Sequence, residues 1–459
     1  MTKGLGRCAL VNFLAMFALA GWALSSPVAR AQDASTPAPD PRIAAALQQV
    51  SAANVQATIA KLASFGTRLT ISAQDPAAVR SGRGIGAARE WIRAELERYA
   101  KDCGGCLEVR TDSFLAPAGE RIPRPTQITN VYAVLRGTSP AGANRIVLVT
   151  GHYDSRNSDT QDVLGDAPGA NDDASGTAVS LECARVLSTL KFPATIIFLT
   201  VAGEEQGLNG SEHFARMARE QGWRIEAALN NDIVGGDKSD GQDPSTVRVF
   251  SEGLPINAKD PQTGKLRAVG GESDSASRQL ARYISSVSRI YDAGVRAALI
   301  FRPDRYLRGG DHLSFNEAGF AAVRFTEWRE NFNHQHQNVR LASDVQYGDL
   351  PQFVDYEYVA RVARLNAAVL AELASAPAAP GNVELAAKQL ENDSTLIWTG
   401  SDGATGYEVL WRSTTSPDWE HVQKFGDITR ATLPISKDNV IFGVRAMDGA
   451  GHRSLVAVP

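Results

Sequence analysis

The run ATIIFLTVAGEEQGLNGS, Ala194 to Ser211, decides how the rest of the chain is read. Its first eight residues are apolar or β-branched and of strand length, Ala194 to Val201, which predicts a strand buried on both faces. Two carboxylates, Glu204 and Glu205, follow at once. Like charges directly after a buried strand are unfavourable unless cations are present or a proton is retained. A helical pattern, Ser211 to Gln221, comes next. The same alternation extends both ways. Strands are predicted at 129–135, 145–150, 225–234, 247–251, 295–301 and 321–326, and helices at 43–65, 85–99, 177–190, 273–290 and 354–373. Apolar strands alternating with amphipathic helices predict an α/β fold, a mostly parallel central sheet with helices on both faces. In such sheets functional groups gather in the loops beyond the C-terminal strand ends.

Four further segments fall at such places. GHYDS follows the strand ending at Thr150: His152 offers an imidazole, and Asp154 is placed to reach its other ring nitrogen and fix the tautomer. PGANDDASG, Pro168 to Gly176, sets two aspartates in a glycine-rich turn that opens a helix. Asp172 can give one oxygen to each of two metals, as sites with metals roughly 3.5–4 Å apart require. NNDIVGGD supplies Asp232 as a terminal ligand on the metal that His152 holds. The stretch from Gly309 to Val339 contains His312, His334 and His336, one of which closes the second shell. In the glutamate pair, Glu205 is assigned as ligand and Glu204 as general base. Taken singly, each motif is also an ordinary cap, turn or solvated loop. Their order and shared position at strand ends carry the reading. The ligand types fit two Zn2+ per chain, with cobalt or manganese as substitutes, and leave each metal open to water or substrate.

At these residues the chain resembles the dizinc aminopeptidase family of secreted bacterial leucine-type aminopeptidases, whose wider relatives include glutamate carboxypeptidase and glutaminyl cyclase. HxD, GANDDASG, GEExGLxGS and NDIVG match in order and spacing, and the likeness covers Ile43 to Ala374. It implies His152 and Asp232 on one zinc, Glu205 and a late histidine on the other, Asp172 between them, and Glu204 as base. The family's last ligand motif registers on His334, with His336 two residues on as the rival and Asn338 where the family has Asp. The family's Ser-Asp-His segment falls on Gly310-Asp311-His312 and implies a pocket-lining role for His312. Its oxyanion donor, often a tyrosine, falls nearest Tyr306.

The function expected is therefore an exported dizinc exopeptidase, an aminopeptidase hydrolysing N-terminal residues of peptides. A water acidified by the metals would attack, with Glu204 as base. An acidic site suits a free ammonium group. Arg302, Arg305 and Arg308 keep a carboxypeptidase in view, glutaminyl cyclase chemistry is a further alternative, and a noncatalytic binding protein is the remaining class.

The rest of the sequence frames this. The 459 residues suggest two or three domains, and a net charge of -4 gives no basic field, so nucleic acid is not an expected partner. Residues 1–31 read as a signal peptide: Lys3 and Arg7, an apolar run from Cys8 to Leu24, then Ala29-Arg30-Ala31. Export to the periplasm or beyond follows, with no membrane association after cleavage; oligomeric state is open. Residues 32–41 read as a disordered start, 42–374 as the peptidase domain and 375–380 as a linker. Residues 381–459 read as a small β-sandwich resembling a fibronectin type III domain, with its aromatics in the core. Cys103-Gly-Gly-Cys106 is read as a small disulfide or two free thiols, and Cys183 as a buried small residue.

Overall fold

The computed structural model describes residues 37–255, 261–388 and 390–459. The signal peptide expected at 1–31, and residues 32–36 of the disordered start expected at 32–41, lie outside them; Asp40 caps the first helix, which begins at Pro41. In chain order the first helices are α1 (Pro41–Leu47), α2 (Ala52–Ala63), α3 (Pro76–Ser81) and α4 (Ile85–Asp102). Strands β1 (Leu107–Ala116), β2 (Thr126–Leu135) and β3 (Arg145–His152) follow. Next come α5 (Ala174–Leu187), β4 (Thr195–Val201), α6 (Asn209–Glu220), β5 (Arg224–Asn231), β6 (Thr246–Ser251), α7 (Pro261–Ala268) and α8 (Ala276–Ile290). The α/β part of the chain ends with β7 (Arg296–Ile300), α9 (His312–Glu317), β8 (Ala322–Glu327), a short hairpin of β9 (Arg340–Ala342) and β10 (Val345–Tyr347), and α10 (Tyr356–Ser375).

Strands β1 to β8 form one sheet in the order β1-β2-β4-β3-β5-β8-β6-β7. The centre, β4-β3-β5-β8, is parallel, as is the β6-β7 pair. The β1-β2, β2-β4 and β6-β8 pairings are antiparallel. Strands β3 and β4 are buried at every residue, as the unbroken apolar run of Ile196 to Leu199 requires. Helices α2, α4, α5, α8 and α10 contribute to the larger core; α6 and α9 contribute to a second one, with Phe214 and Phe315 fully buried.

Two expectations change. The helix predicted over 43–65 is two helices. Ser51 leaves helical geometry, its hydroxyl caps α2 through Asn54 N, and its own N–H donates to Glu182 Oε1 at 2.7 Å. Strand β1 was not anticipated. It is an edge strand whose residues are mostly exposed or half-buried, so it lacks the apolar run that marked the others.

Cys103 and Cys106 are disulfide-bonded, and Cys183 is free and buried. Beyond α10 the chain forms two antiparallel three-stranded sheets. One orders β11 (Gly381–Leu385), β12 (Ser394–Thr399) and β15 (Arg430–Leu433); the other orders β14 (His421–Phe425), β13 (Gly406–Ser413) and β16 (Val440–Met447). Trp398, Tyr407, Trp411 and Phe442 fill the space between them, so these aromatics are core residues. No helix among the described residues is long and apolar enough to cross a membrane.

The β-sandwich is docked on the α/β part of the chain through buried charge. Asp274, just before α8, accepts two 2.8 Å bonds from Arg412 Nη2 and lies 3.3 Å from Arg282 Nη1. Arg282 also donates to Pro417 O, and the Trp419 indole donates to Gln279. Removing one partner of a buried charge network leaves the others uncompensated. Asp274→Ala is therefore expected to cost about 3–5 kcal/mol in denaturant unfolding of the full chain. A loss within about 1 kcal/mol, the range of exposed pairs, would show that this contact does not hold the sandwich.

A second contact titrates. His452 of the sandwich sits between Glu372 of α10, 3.0 Å from Nδ1, and Asp40, 3.2 Å from Nε2. Burial opposes its charge, but Glu372, Asp448 and Asp40 together raise its pKa above 6.5. A histidine whose pKa is raised on folding stabilises fully below its unfolded value and loses that contribution as pH rises through the folded one. Stability should accordingly fall as pH rises above about 6.5, and His452→Gln should flatten that dependence. An unchanged pH profile in the variant would remove His452 from the account.

Candidate metal centre

Three strand ends and two loops converge on the centre. Strand β3 ends on His152, β4 leads into Glu204 and Glu205, and β5 leads into Asp232. Asp172 comes from the turn before α5, and His336 from the loop between β8 and β9. Close backbone approach makes this possible. A Cβ on Gly151 would lie 2.4 Å from the carbonyl carbon of Gly176, and one on Gly176 would lie 2.0 Å from Asn231 O. Glycine at both positions lets the start of α5 press against the ends of β3 and β5.

The turn itself is held by carboxylates. Asp173 accepts from His152 N (3.0 Å), Gly176 N (2.9 Å) and Ile233 N (3.3 Å), tying three segments to one side chain. Asp349 accepts from Asn171 N and Asp172 N at 2.8 and 2.7 Å. Buried Arg68 donates to the carbonyls of Tyr153 and Gly169. The Asp172–Asp173 peptide is cis.

Asp172 presents its two oxygens in different directions. Oδ1 lies 3.1 Å from His152 Nε2; Oδ2 lies 2.9 Å from His336 Nε2 and accepts from Gln335 Nε2 at 3.0 Å. Two sets of ligand atoms result, each within 4.8 Å of one another: His152, Glu204 and Asp232, and Asp172, Glu205 and His336. Asp232 Oδ1 is 3.8 Å from His152 Nε2, and Glu205 Oε1 is 3.0 Å from His336 Nε2. His152 Nδ1 faces Asp154, with Oδ1 at 3.4 Å and the carbonyl at 3.2 Å. These acceptors place its proton on Nδ1 and free Nε2 for a ligand. Asp154 Oδ2 is anchored by Thr70 and by Glu205 N.

The histidine register differs from the one expected. The ring that reaches Asp172 and Glu205 belongs to His336, not His334. His336 takes a left-handed backbone, φ 55°, which turns its side chain inward. His334 instead pairs through Nδ1 with Asp237 and stacks on Phe353, ring centroids 3.6 Å apart. Asn338 accepts from Ser158 N at 3.1 Å and so serves the neighbouring loop. Tyr306 is also elsewhere. It is 75% exposed, with Arg302 over its ring, on the wall of a separate depression beside Phe250 and Phe301, and is not placed to assist at the centre. His312 is fully buried and makes a 2.7 Å contact from Nε2 to Pro303 O; burial pushes its pKa down to about 4. It is a structural residue and does not line the cavity.

Several residues near the centre were not singled out from sequence. Buried Arg324 holds Asp232 Oδ2 at 2.6 Å. Arg156 donates from Nε to Glu205 Oε2 at 2.7 Å and meets His336 Nδ1 through Nη2. Asp311 is buried behind the cluster, and burial, opposed by His152, pushes its carboxyl up to about 7. Arg156 follows GHYDS directly, and that adjacency was the available signal for it. Nothing local marks Arg324, which sits mid-strand in β8.

The electrostatics fit cations. Burial pushes Glu204 well up, opposed by His152 and reinforced by Asp232, Glu205 and Asp311. Burial works against charge on His152 and His336, but the carboxylates prevail: His152 is raised well above its ordinary value and His336 to about 10. The cluster therefore retains protons where divalent metal would displace them. His152 Nε2 and Glu205 Oε1, one in each set, are buried and face Asp172 Oδ1 and His336 Nε2 at 3.1 and 3.0 Å without hydrogen-bond geometry. Imidazole and carboxylate oxygen, open on one side to a cavity of about 280 Å³, suit zinc in a catalytic rather than a closed structural site.

Comparison with known proteins agrees with this chemistry. The family model described as Peptidase family M28 matches residues 130–344. A probable zinc metalloprotease of Leptosphaeria maculans is 45% identical, over 92% of this chain and 98% of its own. One from Pyricularia oryzae is 46% identical, over 97% and 89%. The Legionella pneumophila LapA aminopeptidase structure shares the fold, with a TM-score of 0.51 and 22% identity over 73% of this chain and 75% of that one.

The geometry separates the two histidines experimentally. His336→Ala should weaken metal binding by more than the about 10–100-fold typical of losing an orienting partner. His334→Ala, whose ring contacts Asp237 and Phe353, should bind metal within a few-fold of the parent. Competition titration against a chromogenic chelator measures both, and equal losses would reject the assignment of His336.

Proposed function

This chain belongs to Peptidase family M28 and is a zinc metallopeptidase, and from that premise we propose that it is an exported exopeptidase with two zinc ions that removes N-terminal residues from peptides. The supporting observation is Asp172, one carboxylate facing two ligand sets, with one oxygen 3.1 Å from His152 Nε2 and the other 2.9 Å from His336 Nε2. On this reading His152 and Asp232 hold one ion, Glu205 and His336 the other, and Asp172 both. The ions would supply a Lewis acid and an acidified water. Glu204 lies within reach of His152 and Asp232 and is read as the base and not a ligand: it takes the proton of the attacking water and returns it to the leaving amine. Asp154 acts through His152 by fixing its ring, and Arg324 orients Asp232 through the oxygen turned away from His152.

A small cavity favours exopeptidase over endopeptidase, since about 280 Å³ lies at the low end of ligand pockets. The LapA aminopeptidase fold supports attack at the amino end. Arg305 and Arg308 line the same cavity and support a second reading, release of a C-terminal residue. Glutaminyl cyclase chemistry on one zinc is disfavoured because His152 and Asp232 complete the first ligand set. A noncatalytic protein would be expected to lack the base or a ligand. The Cys103–Cys106 disulfide is consistent with export to an oxidising compartment. The β-sandwich, with its two facing sheets, supports the fibronectin type III-like reading.

Aminoacyl-nitroanilides with and without N-acetylation, before and after chelation, test the proposal. Activity should need a free amine and disappear with the metal. Cleavage of acetylated peptides from the free C-terminus would instead establish the second reading. Glu204→Gln should keep two zinc ions per chain by elemental analysis and lose about 10²–10⁴-fold in kcat. Near-parent kcat with both metals bound would overturn the base assignment.

A further inference from the structure

We propose that the cavity selects substrates carrying a carboxylate, which Arg121 and Arg308 bind beside the metal centre. This rests on the peptidase reading above and names its substrate class.

The cavity is lined by four carboxylates, Asp172, Glu204, Glu205 and Asp232, and by four arginines, Arg121, Arg156, Arg305 and Arg308. Protein charge at the lining is therefore close to balanced. Two divalent cations on the ligand sets would tip it strongly positive. An ammonium group is then no longer the favoured guest of the site as a whole, and a carboxylate is.

The arginines divide by what they already do. Arg305 uses all three nitrogens, on Asp304, Glu330 and Gly309 O, and its side chain is 8% exposed. Arg156 is committed to Glu205, Asn157 O and His336. Both supply field without free donors aimed outward. Arg121 is exposed, and its guanidinium donates only from Nη1, to the main-chain oxygen of Glu205 at 3.1 Å. Arg308 donates only from Nη1, to Glu330 Oε2 at 2.7 Å. That carboxylate is already shared: Arg305 holds the same oxygen and Arg248 the other. Glu330 and Asp304 together face Arg248, Arg305 and Arg308, so the guanidiniums outnumber the carboxylates at this wall. A planar guanidinium with open donors is suited to a carboxylate through paired N–H bonds.

The carboxylate has two sources, an acidic side chain or a peptide C-terminus, and ligands that cannot be hydrolysed separate them. Calorimetry on the full chain, metal-loaded and metal-free, would compare glutamate, glutamine and glutaminol. Tighter binding of glutamate than glutamine, by about tenfold or more in the metal-loaded protein, assigns the side-chain source. Tighter binding of glutamine than glutaminol by a similar factor assigns the terminal source. In Arg121→Ala/Arg308→Ala either preference should shrink to within about threefold, and Arg308→Lys should recover part of it, since charge returns without the fork. Equal binding of all three ligands, or a preference unchanged in the double variant, overturns the proposal. The kcat/KM ratio for Glu-Ala-amide over Gln-Ala-amide gives a parallel reading. Carboxylate binding without hydrolysis of any peptide would instead defeat the peptidase reading while leaving this one standing.

Discussion

Everything at the centre depends on burying several carboxylates within a few ångströms of one another. Asp172, Asp232 and Glu205 are each at most 5% exposed, and Asp173 and Asp154 are fully buried behind them. Desolvating a single ionised carboxylate costs several kcal/mol, and a domain has only about 5–15 kcal/mol of net stability. Such a cluster persists only if each negative charge meets a cation, a proton or a set of N–H donors. The chain uses all three. Asp173 and Asp349 take main-chain N–H groups, Asp232 and Glu205 take Arg324 and Arg156, and Asp172 faces two imidazoles. The first group welds the loops together; the second and third leave lone pairs directed at two points in space.

Much of this was legible because the motifs obey local rules. An apolar, β-branched run such as Ile196 to Leu199, of strand length and closed by a glycine turn, reads as a doubly buried strand, and residues just past a parallel strand end lie at the sheet's functional edge. His152, Glu204, Glu205 and Asp232 inherit their positions from that rule, and Asp172 from the glycine-rich turn that opens α5. What the sequence hid was non-local or off-pattern. His334 and His336 differ by two residues in an irregular loop, and a left-handed residue decides which ring turns inward. Tyr306 lay close in sequence to the centre but belongs to a loop facing another way. Arg324 is read from sequence as one polar residue in a strand, and only the pairing of β8 with β5 brings it to Asp232. The edge strand β1 has no apolar run to announce it.

The balance of charge also explains why composition misleads about the site. Motif by motif the ligand loops are acidic, which suggests affinity for an ammonium group. Of the arginines that answer them, Arg121 comes from the segment before β2, Arg305 and Arg308 from the loop between β7 and α9 and Arg324 from β8, far from the acidic motifs in the chain, while Arg156 adjoins one. Their field is invisible until the fold assembles it. Metals, once bound, satisfy the same carboxylates that the arginines partly neutralise, so the arginine charge at the rim becomes available to a ligand.

None of the cavity-lining residues comes from the β-sandwich, so the sandwich can affect the centre only through the helices it rests on. That route is short. His452 contacts Glu372 near the end of α10, and Arg145 at the start of β3 donates to Ala376 O just past that helix. Earlier in α10, Asn366 exchanges two hydrogen bonds, 3.0 and 2.9 Å, with Asn231, the residue before Asp232. An amide pair buried in this way fixes both side chains, because releasing either leaves donors and acceptors unpaired in the core. The helix that receives the sandwich is therefore the one that sets the end of β5. The sandwich thus contacts the helix that is bonded to the end of β5, without adding a residue to the site.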